Sequence, residues 1–117
     1  MGTRFHQLAD DAKTRVREVS AIEAVQEQAK GAVLIDVREN EEFQREHAQG
    51  ALHLSKGVVE LHIENEVPDV TKPIVCYCGG GSRSALVADN LQKMGYTNVA
   101  SMAGGFKAWK NEGLPTD

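Results

Sequence analysis

The sequence predicts an α/β fold, with a mostly parallel central sheet flanked by helices on both faces. Three observations carry this expectation. The runs 32–37 and 74–78 are continuously apolar, as strands buried on both sides are, rather than alternating. Segments with apolar residues every three or four positions stand between such runs, so strands alternate with helices. No repeat, low-complexity stretch or linker breaks the alternation, and 117 residues suit one domain.

In chain order, Phe5, Leu8, Ala12 and Val16 form a stripe at helical spacing. Residues 1–17 are accordingly read as an N-terminal amphipathic helix packed on the domain, with 18–117 as the domain itself. Residues 16–19 suit a short edge strand. Ser20 and Glu23 form a capping box that starts a helix, and Gly31 is placed to stop it. The run 32–37 is a strand ending at a carboxylate, Asp36. Asn40 is a cap residue followed by acids, so residues 40–46 are a short helix. Residues 50–54 make a brief strand. A helix carrying Val58, Val59, Leu61 and Ile63 follows and stops before Pro68.

After the strand 74–78, residues 84–94 read as a helix with Ala85, Leu86, Ala88, Leu91 and Met94 on its apolar side, ended by Gly95. A strand over 98–102 and a last helix over 106–111 complete the chain.

Composition narrows the function. The balance of 41% hydrophobic and 26% charged residues is that of an ordinary globular domain. A net charge of -4 argues against nucleic acid or an anionic membrane as partner. No apolar run approaches the roughly 18 residues of a membrane span. The first eight residues lack a secretory h-region, and His6 breaks the myristoylation pattern. The two cysteines, Cys76 and Cys78, project the same way from one strand and are poorly placed to bond each other, which fits a reducing cytoplasm. The four histidines show no zinc-type spacing, so neither a metal nor a cofactor is expected.

The chemistry concentrates after the strand 74–78. Cys78 is followed by Gly79, Gly80 and Gly81, then Ser82 and Arg83 at the start of a helix. A thiol delivered into a glycine-rich turn at a helix N-terminus meets converging backbone N–H groups and the positive end of a helix dipole. Both favour thiolate over thiol. Cys78 is therefore the candidate nucleophile of an anion-binding loop, and Cys76, inside the apolar run, is a core residue. The three glycines are read as the cradle. Ser82 is read as the helix cap or as a donor to a bound anion. Arg83, at the closing end, fixes the loop or holds an anionic substrate. Asp36 and Arg38 are expected in the same crevice as Cys78, bracing the loop, because sites in such sheets lie beyond the strands' carboxyl ends. His47 and His53 are read as structural.

These residues resemble a known family. Leu34-Ile35-Asp36-Val37-Arg38, Glu41-Glu42-Phe43, His47 and Gly50-Ala51 resemble the first signature of the rhodanese sulfurtransferase domain. The stretch 75–84 is similar to its active-site loop, and 102–109 to its closing glycine-glycine-aromatic segment. The resemblance covers about residues 19–115. It implies attack by Cys78 on the outer sulfur of a donor such as thiosulfate, giving a persulfide that passes its sulfur to cyanide or a thiol. It also implies that Asp36 and Arg38 support the loop and that Arg83 closes it.

Two departures stand out. Ala48 and Gln49 replace an Ile-Pro pair common in the family. The loop also lacks the cations that thiosulfate-favouring members carry after the cysteine, which leaves a protein or small-thiol persulfide open as donor. A phosphatase or arsenate reductase on the same fold is the rival enzyme, but those resemble Cys-x5-Arg, and Cys78 to Arg83 is Cys-x4-Arg. The other rival is a non-catalytic persulfide-carrying or regulatory domain. The expected partners are small sulfur donors and acceptors or a protein persulfide, and the chain is expected to be a monomer or weak homodimer.

Overall fold

Alternating strands and helices wind here into a five-stranded sheet, all of whose strand pairings are parallel, in the order β1-β5-β4-β2-β3. The computed structural model describes residues 3–117. Met1 and Gly2, part of the signal and lipidation readings, lie outside the described residues. The strands are β1 (Arg17–Val19), β2 (Val33–Asp36), β3 (Leu52–His53), β4 (Ile74–Tyr77) and β5 (Val99–Met102). The helices are α1 (Thr3–Lys13), α2 (Ala21–Ala29), α3 (Asn40–Arg45), α4 (Val59–Glu66), α5 (Ser82–Lys93) and α6 (Gly105–Asn111).

The fully apolar strands have two cores to fill. Ile35, Val37, Ile74, Cys76, Cys78 and Val99 face α4 and α5, meeting Val59, Ile63, Val87, Ala88 and Leu91. The intervening residues Leu34, Val75, Tyr77, Ala100 and Met102 face α2 and α6, meeting Ala21, Ala24, Phe106 and Trp109. This two-fold alternation of side chains decides which residues can share a site.

Local signals act where the sequence places them. Ser20 Oγ accepts from the Glu23 N–H at 3.0 Å, and the Ser20 N–H donates to the Glu23 carboxylate at 2.8 Å. Gly31 stops α2 with φ +106°, a left-handed conformation that glycine adopts without steric cost. The cap of α3 is shifted: its N-cap is Glu39, whose N–H donates to Glu42, and Asn40 is already helical.

The N-terminal reading needs correction. The helix ends at Lys13, and Arg17 belongs to the edge strand β1. Its buried residues are Ala9 and Ala12, while Phe5 and Leu8 of the expected stripe are 40% and 57% exposed. The helix packs on α5 through small side chains, and Arg15 bridges from its end to Asp89 of α5 at 2.9 Å. The apolar side of α5 is also rotated: Val87 is buried and Met94 is exposed. No helix among the described residues is long and apolar enough to cross a membrane.

Candidate active site

The backbone leaves β4 at Tyr77, and Cys78 is the first residue beyond it, buried at 1% exposure. Its sulfur is the focus of the loop. The Gly81 N–H donates to Sγ at 3.1 Å and the Ser84 N–H at 3.4 Å, with the Ser84 hydroxyl at 3.5 Å. Burial alone would push the thiol up. The hydrogen bonds from Ser84 and from the Gly81 and Gly80 N–H groups outweigh it and hold Cys78 below the ordinary thiol range. Cys76 shows the contrary case: fully buried without such donors, its thiol is pushed up to about 12 by desolvation. Two cysteines two residues apart are thus separated by their donors, and both are free.

The glycines divide unequally. Gly81, not Ser82, is the N-cap of α5, and it needs φ +106°. A Cβ there would also crowd the Gly104 nitrogen at 3.3 Å and the Met102 carbonyl at 3.4 Å. Ser82 is the first helical residue, so its capping role falls to Gly81. A Cβ at Gly79 would meet only the Arg83 guanidinium at 3.2 Å, and one at Gly80 would meet nothing within 4 Å. Gly80 also has no positive φ among the described residues. The cradle depends on glycine at one end, not along all three positions.

A fourth glycine matters more. Gly105, at φ +56°, opens α6 against the back of the loop, where a Cβ would lie 2.3 Å from the Cys78 carbonyl oxygen and 2.7 Å from the Gly79 carbonyl carbon. That approach lets the Phe106 N–H donate to the Cys78 carbonyl at 2.7 Å and the Lys107 N–H to that of Gly79 at 3.3 Å. The loop is held from behind by backbone alone.

Asp36 and Arg38 take a different place from the expected one. Asp36 pairs in register with Tyr77, so it shares the α2/α6 face, and Cys78 lies on the other. Both sit at the carboxyl end of neighbouring strands, yet the Asp36 carboxylate is fully buried and receives Arg38 through Nε at 3.1 Å and Nη2 at 2.8 Å. The Tyr77 hydroxyl donates to it at 2.6 Å and accepts from the Ala48 N–H at 3.0 Å. The Arg38 guanidinium lies 4.3 Å from the Phe106 ring centre and donates to the Glu46 carbonyl at 2.6 Å. The pair therefore touches α6 and Tyr77 rather than the loop, and it reaches Cys78 through Phe106, whose N–H holds the Cys78 carbonyl, and through Tyr77, its neighbour in the chain.

Arg83 is bound to Glu42 of α3 at 3.1 and 3.3 Å, an ion pair that also holds the Glu42 carboxyl below its usual range. Between α3 and α6 lies a cavity of about 250 Å³ lined by Arg38, Glu42, Arg45, Glu46 and Phe106. Phe43 is sandwiched between His47 at 3.8 Å and His53 at 4.4 Å, which fixes α3. No cluster of metal ligands occurs among the described residues.

Sequence reasoning missed Ser84, Glu42 as the partner of Arg83, and Gly105. Ser84 was legible in principle, since it stands one turn into the helix that follows the loop. Replacing Glu42 by alanine should change stability by under about 1 kcal/mol, because both partners are a third exposed. It should slow reaction at Cys78 about fivefold by freeing the loop's closing end. A thermal melt and the rate of Cys78 alkylation read the two effects, and an unchanged rate would remove Arg83 from the loop's support.

The Rhodanese-like domain family matches residues 20–112. The chain belongs to that family. Among rhodanese-like relatives, thiosulfate sulfurtransferase GlpE of Haemophilus influenzae is 39% identical over 101 residues, covering 86% of this chain and 94% of that protein. GlpE of Coxiella burnetii is 37% identical over 95 residues, covering 80% and 87%. A Rhodopseudomonas palustris protein of unknown function, described as a possible tyrosine phosphatase, superposes with TM-score 0.84 at 30% identity over 97% of this chain and 93% of that one. The homodimeric polysulfide-sulfur transferase of Wolinella succinogenes does so with TM-score 0.79 at 28% identity, over 97% and 87%.

Proposed function

We propose that this rhodanese-like domain is a sulfurtransferase working through a persulfide on Cys78. The single observation that carries the reading is the convergence of the Gly81 and Ser84 N–H groups and the Ser84 hydroxyl on one buried, acidified sulfur. The relatives named thiosulfate sulfurtransferase support it.

In the first half-reaction the Cys78 thiolate attacks the outer sulfur of thiosulfate. The new S–S bond takes the thiolate's electron pair, and the old S–S pair departs with sulfite. The second half returns the thiolate when cyanide or a thiol takes the outer sulfur. Fixed N–H groups stabilise negative sulfur without reorganising, the usual source of such catalysis. No general base is required of a sulfur nucleophile whose thiolate is favoured by the loop's own donors. The loop carries few cations, so a persulfide of a small thiol or a protein stands beside thiosulfate as donor.

Mass spectrometry tests the reading. Incubation with thiosulfate, or with a small-thiol persulfide, should add one sulfur to Cys78, and cyanide should remove it. If neither donor adds sulfur, the reading fails. Loading without discharge would make the domain a persulfide carrier. Phosphatase chemistry is disfavoured because a phosphate needs its arginine as a free bidentate clamp, and Arg83 is committed to Glu42. Turnover of a phosphate ester would reverse that judgement. The two free thiols and the net charge of -4 support a cytoplasmic place with small-molecule or protein sulfur partners rather than nucleic acid or membrane. We take the chain as a monomer or weak homodimer, and Asp36 and Arg38 as indirect supports of the loop.

A further inference from the structure

Ser101 is a polar residue in an apolar place. It pairs in register with Cys76 across the β4–β5 ladder, so it faces α5 on the side that holds both thiols. It is fully buried, and its hydroxyl lies 2.8 Å from that of Ser84, which is fully buried as well. An alanine would pack there without a polar group to satisfy, so packing gives no reason for the hydroxyl.

The geometry restricts the direction of the protons. Ser84 Oγ has one proton and two polar neighbours, Cys78 Sγ at 3.5 Å and Ser101 Oγ at 2.8 Å. A thiolate only accepts, so Ser84 must donate to sulfur, and its oxygen is then left to accept from Ser101. We propose that Ser101 is a positioning residue that donates to Ser84, keeps the Ser84 proton on Cys78 Sγ, and thereby stabilises that sulfur as the leaving thiolate when the persulfide is discharged.

The inference rests on the sulfur-transfer reading and assigns the second half-reaction to this pair. The acceptor's lone pair forms a bond to the outer sulfur, and the electrons of the S–S bond go to Cys78 Sγ. Before discharge Sγ is a neutral divalent sulfur and a weak acceptor. Afterwards it carries the charge. The Ser84 hydrogen bond therefore strengthens along the reaction, which is what lowers a barrier. No proton changes owner, so the buried pair needs no exit to solvent. The other charged or titratable groups acting on this sulfur are Cys76 on β4 and Arg83 on α5, itself paired with Glu42 of α3; β5 contributes only the Ser101 hydroxyl, through Ser84, and α6 only backbone N–H groups to the loop carbonyls.

Two readouts test Ser101→Ala beside Ser101→Thr, which keeps the hydroxyl. The first is the pH profile of Cys78 alkylation by iodoacetamide, which needs no sulfur donor. Ser101→Ala should move its acid limb to higher pH, and Ser101→Thr should restore it. The second is single-turnover discharge of the preloaded protein to cyanide. Ser101→Ala should slow it about tenfold, while loading above the shifted limb stays near the parent rate. An unmoved alkylation profile overturns the role of Ser101, as does a folded Ser101→Thr that behaves like Ser101→Ala. A parent protein that takes up no sulfur overturns the sulfur-transfer reading instead, and alkylation then judges Ser101 alone.

Discussion

Replacing Cys78 by serine should end sulfur uptake and leave the fold standing. The substitution trades one small buried group for another among the same donors, so melting should change little. Transfer should fall by at least about 10³-fold, the scale on which loss of a covalent nucleophile is felt. A hydroxyl under the same hydrogen bonds stays protonated, and oxygen does not form the S–S bond that the reaction requires. Cys76→Ala should give the opposite pattern. That thiol is inert and packed among Ile35, Val37 and Ile74, so its loss costs about 1 kcal/mol through the void it leaves while most activity remains. Mass mapping after exposure to a sulfur donor, with a melt of each variant, decides between the two thiols. Equal loss of uptake in both would mean that the acidified sulfur is not the reacting one.

Gly105→Ala should be the most damaging change outside the loop. The added methyl carbon would stand 2.3 Å from the Cys78 carbonyl oxygen, and the neighbours it meets are backbone rather than yielding side-chain tips. Either α6 retreats, breaking the Phe106 and Lys107 donations, or the loop shifts. With the positive φ added, the cost is about 2–4 kcal/mol. A displacement of the loop by even an ångström should reduce transfer about 100-fold. Gly80→Ala is the control, since its methyl meets nothing and should stay within about 0.5 kcal/mol of the parent. Chemical denaturation and sulfur-loading rates on both variants would settle the matter, and similar effects at the two positions would contradict the account of how the loop is held.

The contrast between these glycines shows where reading the sequence runs out. Gly79-Gly80-Gly81 is conspicuous as a triplet, but sequence cannot tell a glycine that needs a left-handed φ from one that leaves room. Gly105 reads as one of two glycines ahead of the last helix, and only the packing of α6 on the loop reveals its constraint. Strand content was readable because runs such as 74–77 are apolar at every position, and the capping box at Ser20 and Glu23 was readable because it is local. The faces of α1 and α5 were misjudged for one reason. Spacing at three and four residues marks a stripe but does not fix which way the helix is rolled, and the packing of α1 on α5 buries Ala9 and Val87 while Leu8 and Met94 stay exposed. Asp36 went to the opposite face from Cys78 because strand register, a long-range property, sets side-chain parity.

The pairing of the first strand with the last has a consequence for how the molecule is made. Arg17–Val19 finds its hydrogen-bonding partner in Ala100–Met102, and α1 rests on α5. On a ribosome, the first twenty residues emerge long before the segments that will cover them. The ladders of β2 with β3 and of β4 with β5 join segments much closer in the chain, and β1 docks only once β5 is available. Such non-local closure slows folding relative to helical domains of equal size. Mutations in β5 should therefore appear during synthesis as an N-terminal segment left open to proteases.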